Sequence, residues 1–459
     1  MTRQRVPWSQ RLAYGLPALA LAVVGIPVYV YIPKFYSDVV GIDVATMGTI
    51  LLAVRLFDAV SDPLLGLLSD RTQSRFGRRR PYILLGGCGV AAAMLALFSP
   101  PHDPQTPHTL WFGVWIFALF ACWTVVTVPY EALGPEITFD YTERTTLFAV
   151  RDGLLIAGTL IAAASPALVG AIFGTEASSA GERRKFFWIG TVYAPMVIMA
   201  CSWCVLRIRE LSPPPDPSRA ALRRGVADVI RNRPFMILLA AYIISAIGSN
   251  LPATLILYYV EYVLESRHAE WFLMLYFATG ILFLPAWIAL ARRTDKRNAW
   301  LWAMGINTGA FLGVFFLGAG DEILYGLLVI GSGVGFGATL ALPSAIQADV
   351  IDYDEMLTGA RREGRYIGVW SIAKKLAAAL GVGIGLAVLG AAGYVPNSAQ
   401  PAEVVLALRV LYALVPCLLN FAAILVALAF PLNAAKHRQV LAAIQARRQG
   451  QSVADPLRP

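Results

Sequence analysis

Residues 54–85 read VRLFDAVSDPLLGLLSDRTQSRFGRRRPYILL, a mostly apolar stretch with charged residues in its first part and at its end. Arg55, Asp58 and Asp62 lie in the apolar first part. A charged side chain at the centre of a bilayer costs about 2.5–3.5 kcal/mol on insertion scales, and such residues mark ion or substrate pathways. The stretch therefore predicts a membrane helix with a charged face, followed by an arginine-rich loop.

The three charged residues of this helix share one face. At about 100° per residue, positions 55, 58 and 62 fall within about 60° of one another. Two carboxylates against one guanidinium leave a surplus negative charge, which suits a cation that binds and leaves. The alternative is a structural ion-pair cluster that only holds helices together. We expect this face to point to a protein interior or a wet cavity, with Arg55 partly compensating the acids.

The composition of the chain indicates a helical membrane protein. Of its 459 residues 57% are hydrophobic and 15% are charged, and the mean hydropathy is +0.61, whereas soluble proteins carry about 25% charged residues. Repeated apolar runs of about 20 residues predict an all-α membrane protein with twelve transmembrane helices in two six-helix bundles. The predicted spans are residues 13–33, 45–69, 82–99, 110–137, 148–173, 187–206, 235–260, 270–291, 298–318, 323–347, 365–390 and 405–430.

The basic residues predict the orientation of the chain. Most of the 38 Lys and Arg residues lie in termini and loops on one side of the predicted spans. The positive-inside rule then predicts a multi-pass inner-membrane protein with both termini in the cytoplasm. The net charge of +9 is a consequence of this topology, and nucleic acid is not an expected partner. The domain prediction is a bundle at 1–206, a cytoplasmic linker at 207–234, a bundle at 235–435 and a cytoplasmic, partly disordered tail at 436–459.

The fourth predicted span carries a second polar face. Thr124, Thr127 and Glu131 are spaced i, i+3, i+7 and fall on one side of a helix. Glu131 is expected to bind substrate or a proton, or else to pair with an arginine. At the entrance of the fifth span, Arg151 either bridges to Asp152 or presents its fork of donors to a substrate.

Two lysines and one charged segment complete the polar inventory. Lys374 and Lys375 point about 100° apart, so at most one faces a cavity, with the acids of the second span as natural partners. The alternative is that both lie at the membrane edge and reach water. The segment 348–366 is acidic and then basic, which predicts a solvated loop or gate salt bridges more than a metal site. The four histidines show no ligand spacing.

Together these stretches resemble the glycoside–pentoside–hexuronide:cation symporters of the major facilitator superfamily, of which melibiose permease is the familiar member. The matching residues are RLFDAVSDP at 55–63, PYEALGPEIT at 129–138, ADVIDY at 348–353, Lys375, and GYVPN at 393–397. The resemblance covers nearly the whole chain. It implies the major facilitator fold and a cation-coupled symporter that works by alternating access.

The resemblance also implies a binding site for a monovalent cation. Oxygen ligands suit Na⁺, bound at Asp58 and Asp62, and the same carboxylates can take H⁺ instead. Lys375 matches the family lysine near these acids, and Arg151 matches an arginine near the sugar. The predicted residues are Asp58, Ser61, Asp62 and Thr124 for the cation, Arg55 and Lys375 for coupling or charge pairing, and Thr127, Tyr130, Glu131 and Arg151 for substrate.

The departures from the family concern the substrate. The family's two sugar-binding acids fall at Ala22 and Thr127, and its stacking tryptophan falls at Glu131. These differences disfavour melibiose and leave open a different sugar, an acidic sugar bound by Arg151, or an amphiphile, since relatives with this fold also carry lysophospholipids. The expected partners are the small-molecule substrate, the cation and membrane lipids, with no cofactor and a monomeric state.

Two other classes of protein are less consistent with the sequence. An integral-membrane enzyme needs a nucleophile–base pair or a metal set, and no predicted span contains a histidine. A sensor or scaffold could use the basic linker and tail to dock a partner, but it would not need charged residues inside its spans.

Overall fold

The computed structural model describes residues 6–72, 74–103, 105–138, 141–173, 178–208, 210, 229–359, 362–449, 451 and 455–457. Within these ranges the chain forms helices and no β-strand, which confirms the all-α prediction. The helices are α1 (Trp8–Val40), α2 (Val44–Arg71), α3 (Arg80–Phe98), α4 (His108–Ile137), α5 (Tyr141–Phe173), α6 (Ser179–Arg207), α7 (Arg233–Tyr262), α8 (Ala269–Arg293), α9 (Lys296–Val314), α10 (Glu322–Thr358), α11 (Glu363–Ala391), α12 (Ala402–Leu428) and α13 (Ala434–Arg448).

Each predicted span corresponds to one of the helices α1 to α12. Eleven of these, within the described ranges, are long and apolar enough to cross a membrane. The remaining one, α9, begins with Lys296 and Arg297 and contains Asn307, and these residues lower its hydropathy.

Two of the helices contain π-helical turns. In α1 the turns are Pro27–Tyr31 and Phe35–Val40, and in α12 the turn is Val410–Leu414. A proline lacks the N–H group that a regular helix requires, which explains the irregularity near Pro27 and Pro33. Such turns are frequent at functional sites, and both helices line the cavity described below.

The twelve helices pack as two groups of six. In the first group α1 packs on α5 and α6, while α4 packs on α2 and α3. In the second, α7 packs on α11 and α12, while α10 packs on α8 and α9. The groups meet mainly where α2 contacts α11 and α5 contacts α8. We call the side that carries the start of α1 and the end of α12 the terminal face, and the opposite side the distal face.

The contact between α2 and α11 is closest towards the distal face. A Cβ atom added at Gly390 would lie 2.7 Å from the Cβ of Ala45, so these two helices touch there. Towards the terminal face, no described atom lies within 4 Å of a Cβ added at Gly368. Gly368 precedes Lys375 by seven residues and shares its helix face. Among the described atoms, α11 thus touches α2 at position 390 but not at position 368.

Two predicted irregular segments are partly helical. Helix α10 continues to Thr358, so the first part of the segment 348–366 is helix and not loop. The predicted disordered tail contains α13, which packs on α10. Hydropathy identifies only the apolar part of a helix, whereas polar residues can also be helical outside the membrane. The sequence analysis therefore placed the end of helical structure too early in both segments. Most of the predicted linker, residues 211–228, lies outside the described residues.

Candidate functional site

Residues from three helices form one buried polar site. Lys375, on α11, places its Nζ 2.9 Å from Oδ1 of Asp58 and 2.7 Å from Oδ1 of Asp62, both on α2. Thr124, on α4, donates its hydroxyl hydrogen to Oδ1 of Asp58 at 2.5 Å. Asp58 is 2% exposed, and the side chains of Asp62 and Lys375 are 16% and 21% exposed. The neighbouring Lys374 is exposed, so it is Lys375 that faces the acids.

The direct ion pairs of this site are unequal. Two carboxylates face one ammonium group, and the nearby guanidinium of Arg55 is turned towards Tyr29. Buried charges are costly unless they are paired, and hard cations favour oxygen ligands. The site can therefore accept a further monovalent cation or a proton, and the Lys375 ammonium stands where such a cation would neutralise the acids.

Two predicted members of the site point elsewhere in this conformation. The Ser61 hydroxyl donates to the backbone carbonyl of Asp58 at 3.1 Å. Arg55 donates to the Tyr29 hydroxyl at 2.9 Å, and its guanidinium carbon lies 4.0 Å and 4.2 Å from the ring centroids of Tyr29 and Phe120. Arg55 thus stacks on aromatic rings, while Lys375 forms the direct ion pairs with the acids. Partial compensation of the acids by the charge of Arg55 stays a prediction.

The predicted substrate residues of α4 have different surroundings. Thr127 donates its hydroxyl hydrogen to the carbonyl of Trp123 at 2.8 Å. Tyr130 is 4% exposed and donates to the carbonyl of Tyr14 at 2.6 Å, so its hydroxyl is committed to α1. Glu131 is exposed, and no described residue forms a hydrogen bond with its carboxylate. Of these three, Glu131 is the side chain available to a ligand in this conformation.

Arg151, on α5, pairs with its neighbour. Its Nη2 lies 2.7 Å from Oδ1 of Asp152, and its guanidinium carbon lies 4.8 Å from the ring centroid of Phe148. This is the structural bridge that the sequence left open as one alternative. Its side chain is 25% exposed, so part of the guanidinium remains accessible.

Polar residues of both halves meet near the distal face, in an arrangement that sequence reasoning missed. Asp38, near the end of α1, accepts hydrogen bonds from Lys34 at 2.5 Å, Tyr262 at 2.9 Å and Tyr394 at 2.7 Å. Lys34 also pairs with Glu261 at 2.5 Å. We call these five residues the distal cluster. The cluster joins α1 of the first half to the second half.

The segment after α11 is shaped for this contact. Gly393 has a φ of 86° and Asn397 a φ of 54°, both in the left-handed region, which suits Gly and Asn. The Asn397 amide donates to the backbone carbonyl of Asp38 at 2.5 Å. Burial and the neighbouring Asp38 carboxylate raise the pKa of the Tyr394 phenol, so it remains a hydrogen-bond donor. The motif GYVPN, noted above only as a resemblance, thus serves the distal cluster.

The arginine-rich loop is held by two acids near the terminal face. Glu136 pairs with Arg78 at 2.6 Å and with Arg79 at 2.8 Å. Glu210 accepts hydrogen bonds from the backbone N–H groups of Arg78, Arg79 and Arg80 at 2.7–2.9 Å. These N–H groups lie at the start of α3, where a carboxylate is favourable.

The acidic segment of α10 forms ion pairs with neighbouring elements. Asp349 lies 2.6 Å from Nζ of Lys296, and Asp352 lies 3.1 Å from Nε2 of His437 on α13. Asp354 pairs with Arg362 at 2.6 Å. His437 therefore lies near carboxylates, and its position in the sequence did not indicate this proximity. Lys296 supplies positive charge to Asp349 and Arg362 supplies it to Asp354, so this segment contains salt bridges of the kind that the sequence predicted as one alternative.

A cavity of about 240 Å³ lies between α1 and helices of the second half. Its wall includes Tyr29, whose hydroxyl accepts the hydrogen bond from Arg55. The predicted substrate residues Thr127, Tyr130, Glu131 and Arg151 are not part of this wall.

Comparisons with known proteins agree with this architecture. Residues 13–434 match the family model described as MFS/sugar transport protein. The chain is 26% identical to a glucuronide carrier protein homolog of Escherichia coli over 452 residues, which cover 98% of each chain. It is 26% identical to an isoprimeverose transporter of Lactiplantibacillus pentosus, over 90% of this chain and 86% of the relative.

A solved structure shows the same fold at low sequence identity. It comes from a study of substrate recognition in proton-dependent oligopeptide transporters and has a TM-score of 0.66, 13% identity, and coverage of 96% of this chain and 99% of the other. The family match extends over nearly all of the chain and confirms the resemblance to the glycoside–pentoside–hexuronide:cation symporters. The chain therefore belongs to the MFS/sugar transport protein family, and it is a membrane transport protein and not an enzyme.

Proposed function

We propose that the protein is a cation-coupled symporter that carries a sugar or glycoside with Na⁺ or H⁺ across the inner membrane. The observation that carries the proposal is the buried acid pair, Asp58 and Asp62, which shares one ammonium group from Lys375. The printed names of the relatives, a glucuronide carrier homolog and an isoprimeverose transporter, support a sugar-like substrate.

The cation acts by competing with Lys375. When no cation is bound, Lys375 is hydrogen-bonded to the acid pair and links α11 of one half to α2 of the other. A Na⁺ ion or a proton at the acid pair, with Thr124 supplying a further oxygen, satisfies the negative charge in another way. The ammonium is then released, and one polar link between the halves is weakened.

Coupling follows from the cost of moving unbalanced charge through the membrane. An acid pair without its cation presents uncompensated charge in a low-dielectric region, which disfavours reorientation of the two halves. Reorientation with bound substrate therefore requires the cation, and the two cross together. With the terminal face in the cytoplasm, as the basic loops predict, the distal cluster closes this conformation to the outside.

Uptake into proteoliposomes tests the proposal. Radiolabelled isoprimeverose, methyl glucosides and methyl glucuronides are offered under an inward Na⁺ gradient, an inward H⁺ gradient, or no gradient. We expect at least one solute to accumulate with one of the gradients and Asp58→Asn to abolish accumulation. A protonophore separates the ions, because it removes only proton-driven uptake. Equal uptake under all gradients in both wild type and Asp58→Asn would falsify cation coupling.

A further inference from the structure

The cavity in the second half has a wall without charge. It is formed by α1, α7, α8, α9, α10 and α12, and no charged residue lines it. Aromatic rings contribute a large part of the surface, among them Tyr29, Tyr276 and Phe311. The polar part comes from three asparagine amides together with serine, threonine and tyrosine hydroxyls. A volume of about 240 Å³ is below the 300–1,000 Å³ typical of pockets for drug-sized ligands. The cavity therefore fits one ring more closely than a whole extended molecule.

Two of the amides have hydrogen-bonding capacity that the described residues do not use. Asn307, on α9, accepts a hydrogen bond from Ser332 at 2.8 Å, and no described residue accepts from its NH₂ group. Asn250, on α7, donates to the carbonyl of Ala246 at 2.7 Å, and no described residue donates to its side-chain oxygen. The wall thus offers free amide N–H donors and a free acceptor oxygen, and a hydroxyl group can pair with both types.

The amide of Asn420 is hydrogen-bonded through both its nitrogen and its oxygen, and these bonds hold the helices of the cavity wall in place. Asn420, on α12, donates to the carbonyl of Met304 at 3.0 Å and to the Thr308 hydroxyl at 2.7 Å, and it accepts from Ser245 at 2.9 Å. It is 8% exposed. These bonds hold α7, α9 and α12 together, so the free amides are presented on a rigid frame, which favours selective binding.

From these observations we infer that the cavity binds the uncharged, hydroxyl-bearing ring of a glycoside. Aromatic rings cover the apolar faces of a sugar ring, and the amides of Asn250 and Asn307 bind its hydroxyl groups. An acidic group would find no positive charge in the wall, and an acyl chain would leave both amides unpaired. This inference rests on the proposed symport and names the class of substrate and its site in the second half.

The position of the cavity also suggests how it communicates with the acid pair. Tyr29 contributes to the wall and accepts the hydrogen bond from Arg55, which lies one turn from Asp58 on α2. A sugar ring bound in the cavity would therefore contact Tyr29, which is hydrogen-bonded to Arg55 on α2, the helix that carries Asp58 and Asp62.

Thermal stability of the full chain in nanodiscs free of sugar detergents tests the inference. The probes are methyl β-D-glucoside, methyl β-D-galactoside and methyl β-D-xyloside as neutral glycosides, methyl β-D-glucuronide as the acidic one, and lysophosphatidylcholine as the amphiphile. We expect a neutral glycoside to raise the Tm of the wild type. Asn307→Leu and Asn250→Leu, which remove the amides at similar volume, should weaken the apparent affinity at least about tenfold.

One control variant separates this effect from general damage. Asn298→Leu makes the same substitution at an exposed position of α9 and should leave the affinity unchanged. Elution on size exclusion and the Tm without ligand show whether each variant is folded. If Asn307→Leu fails this check, Asn250→Leu alone decides.

The outcomes distinguish this inference from the proposed function. Unchanged neutral-glycoside affinity in Asn250→Leu and Asn307→Leu overturns the inference, as does a Tm response confined to the glucuronide or to lysophosphatidylcholine. A wild type that responds to the cation but to no neutral glycoside also overturns it and leaves cation coupling intact. Loss of the cation response in Asp58→Asn, with glycoside binding kept, supports both.

Discussion

Lys375 donates hydrogen bonds of 2.9 Å to Asp58 and 2.7 Å to Asp62, across the boundary between the two halves of the protein. The positive charge that stabilises the acid pair of one half thus belongs to the other half. Under the proposed mechanism the link holds only while no other cation occupies the acids. The contact between α2 and α11 then depends on the cation state of the site, whereas nearer the distal face Gly390 and Ala45 bring the same helices together.

The first prediction concerns removal of this ammonium group. Lys375→Gln removes the ammonium group that both buried carboxylates pair with, and breaking a buried pair from one side costs about 3–5 kcal/mol. We expect a lower Tm than wild type in cation-poor buffer, and a larger rise of the Tm when NaCl or acid is added. Thermal unfolding in nanodiscs, with choline chloride as the ionic-strength control, measures both.

Lys374→Gln provides a matched control for this variant. It removes the same charge from the adjacent position of α11, where the side chain is exposed. Its Tm and its response to Na⁺ should equal those of the wild type. Equal behaviour of Lys375→Gln and Lys374→Gln would show that Lys375 does not hold the acids.

The sequence could predict the acid pair and its lysine because a buried charge needs a partner. Asp58 and Asp62 repeat at helical spacing in an apolar segment, and Lys375 is a base in another span. The same spacing did not predict the direction of Arg55. A long side chain on a given face reaches several neighbours, and the rings of Tyr29 and Phe120 come from other helices.

The distal cluster could not be predicted in this way. Asp38 is separated in the chain from Tyr262 by 224 residues and from Tyr394 by 356 residues. Each lies near the end of a span, where polar residues commonly face water or lipid headgroups. These residues come together because of how the two halves pack in this conformation. The spacing of residues along one helix carries no information about that packing.

The second prediction is that the distal cluster keeps the distal face closed. Asp38→Ala removes the acceptor of Lys34, Tyr262 and Tyr394, and loss of one partner of a buried charge pair at an interface costs about 2–5 kcal/mol. We expect a shift towards a conformation open at the distal face. Spin labels at Thr49→Cys and Ser398→Cys, with the five native cysteines replaced, should then show a longer and broader distance distribution.

Asp43→Asn is the control for this experiment. Asp43 is an exposed acid close to the same end of α1, and its side chain caps α2 by accepting from the Thr46 N–H at 2.8 Å. Asparagine is an equally good cap, so the distances between the labels should not change. A distance distribution of Asp38→Ala that matches the wild type contradicts a role of the cluster in closure.

The third prediction concerns the arginine-rich loop. Gly77 has a φ of 104°, and an added Cβ would lie 2.7 Å from Oε1 of Glu210. Gly77→Ala therefore strains the backbone and displaces the carboxylate that binds the start of α3. We expect it to lower stability by about 1–3 kcal/mol. In Gly364→Ala, where no described atom lies near the new Cβ, stability should rise by about 0.5–1 kcal/mol because the glycine is helical. A thermal unfolding series that gives both variants the same sign contradicts this account.

The fourth prediction separates the charge of Arg55 from its stacking. Arg55 is 6% exposed and lies three residues before Asp58 on α2, so its positive charge disfavours a second cation at the acid pair. Arg55→Gln should raise the apparent affinity for Na⁺ or H⁺, whereas Arg55→Lys should keep it near the wild-type value. Both should lower the Tm, because neither side chain stacks on Tyr29 and Phe120 as a guanidinium does. Cation titrations followed by Tm report the affinity, and the cation-free Tm reports the stacking. An affinity that falls equally in both variants would instead make Arg55 a structural support of the site, with no electrostatic effect on the acids.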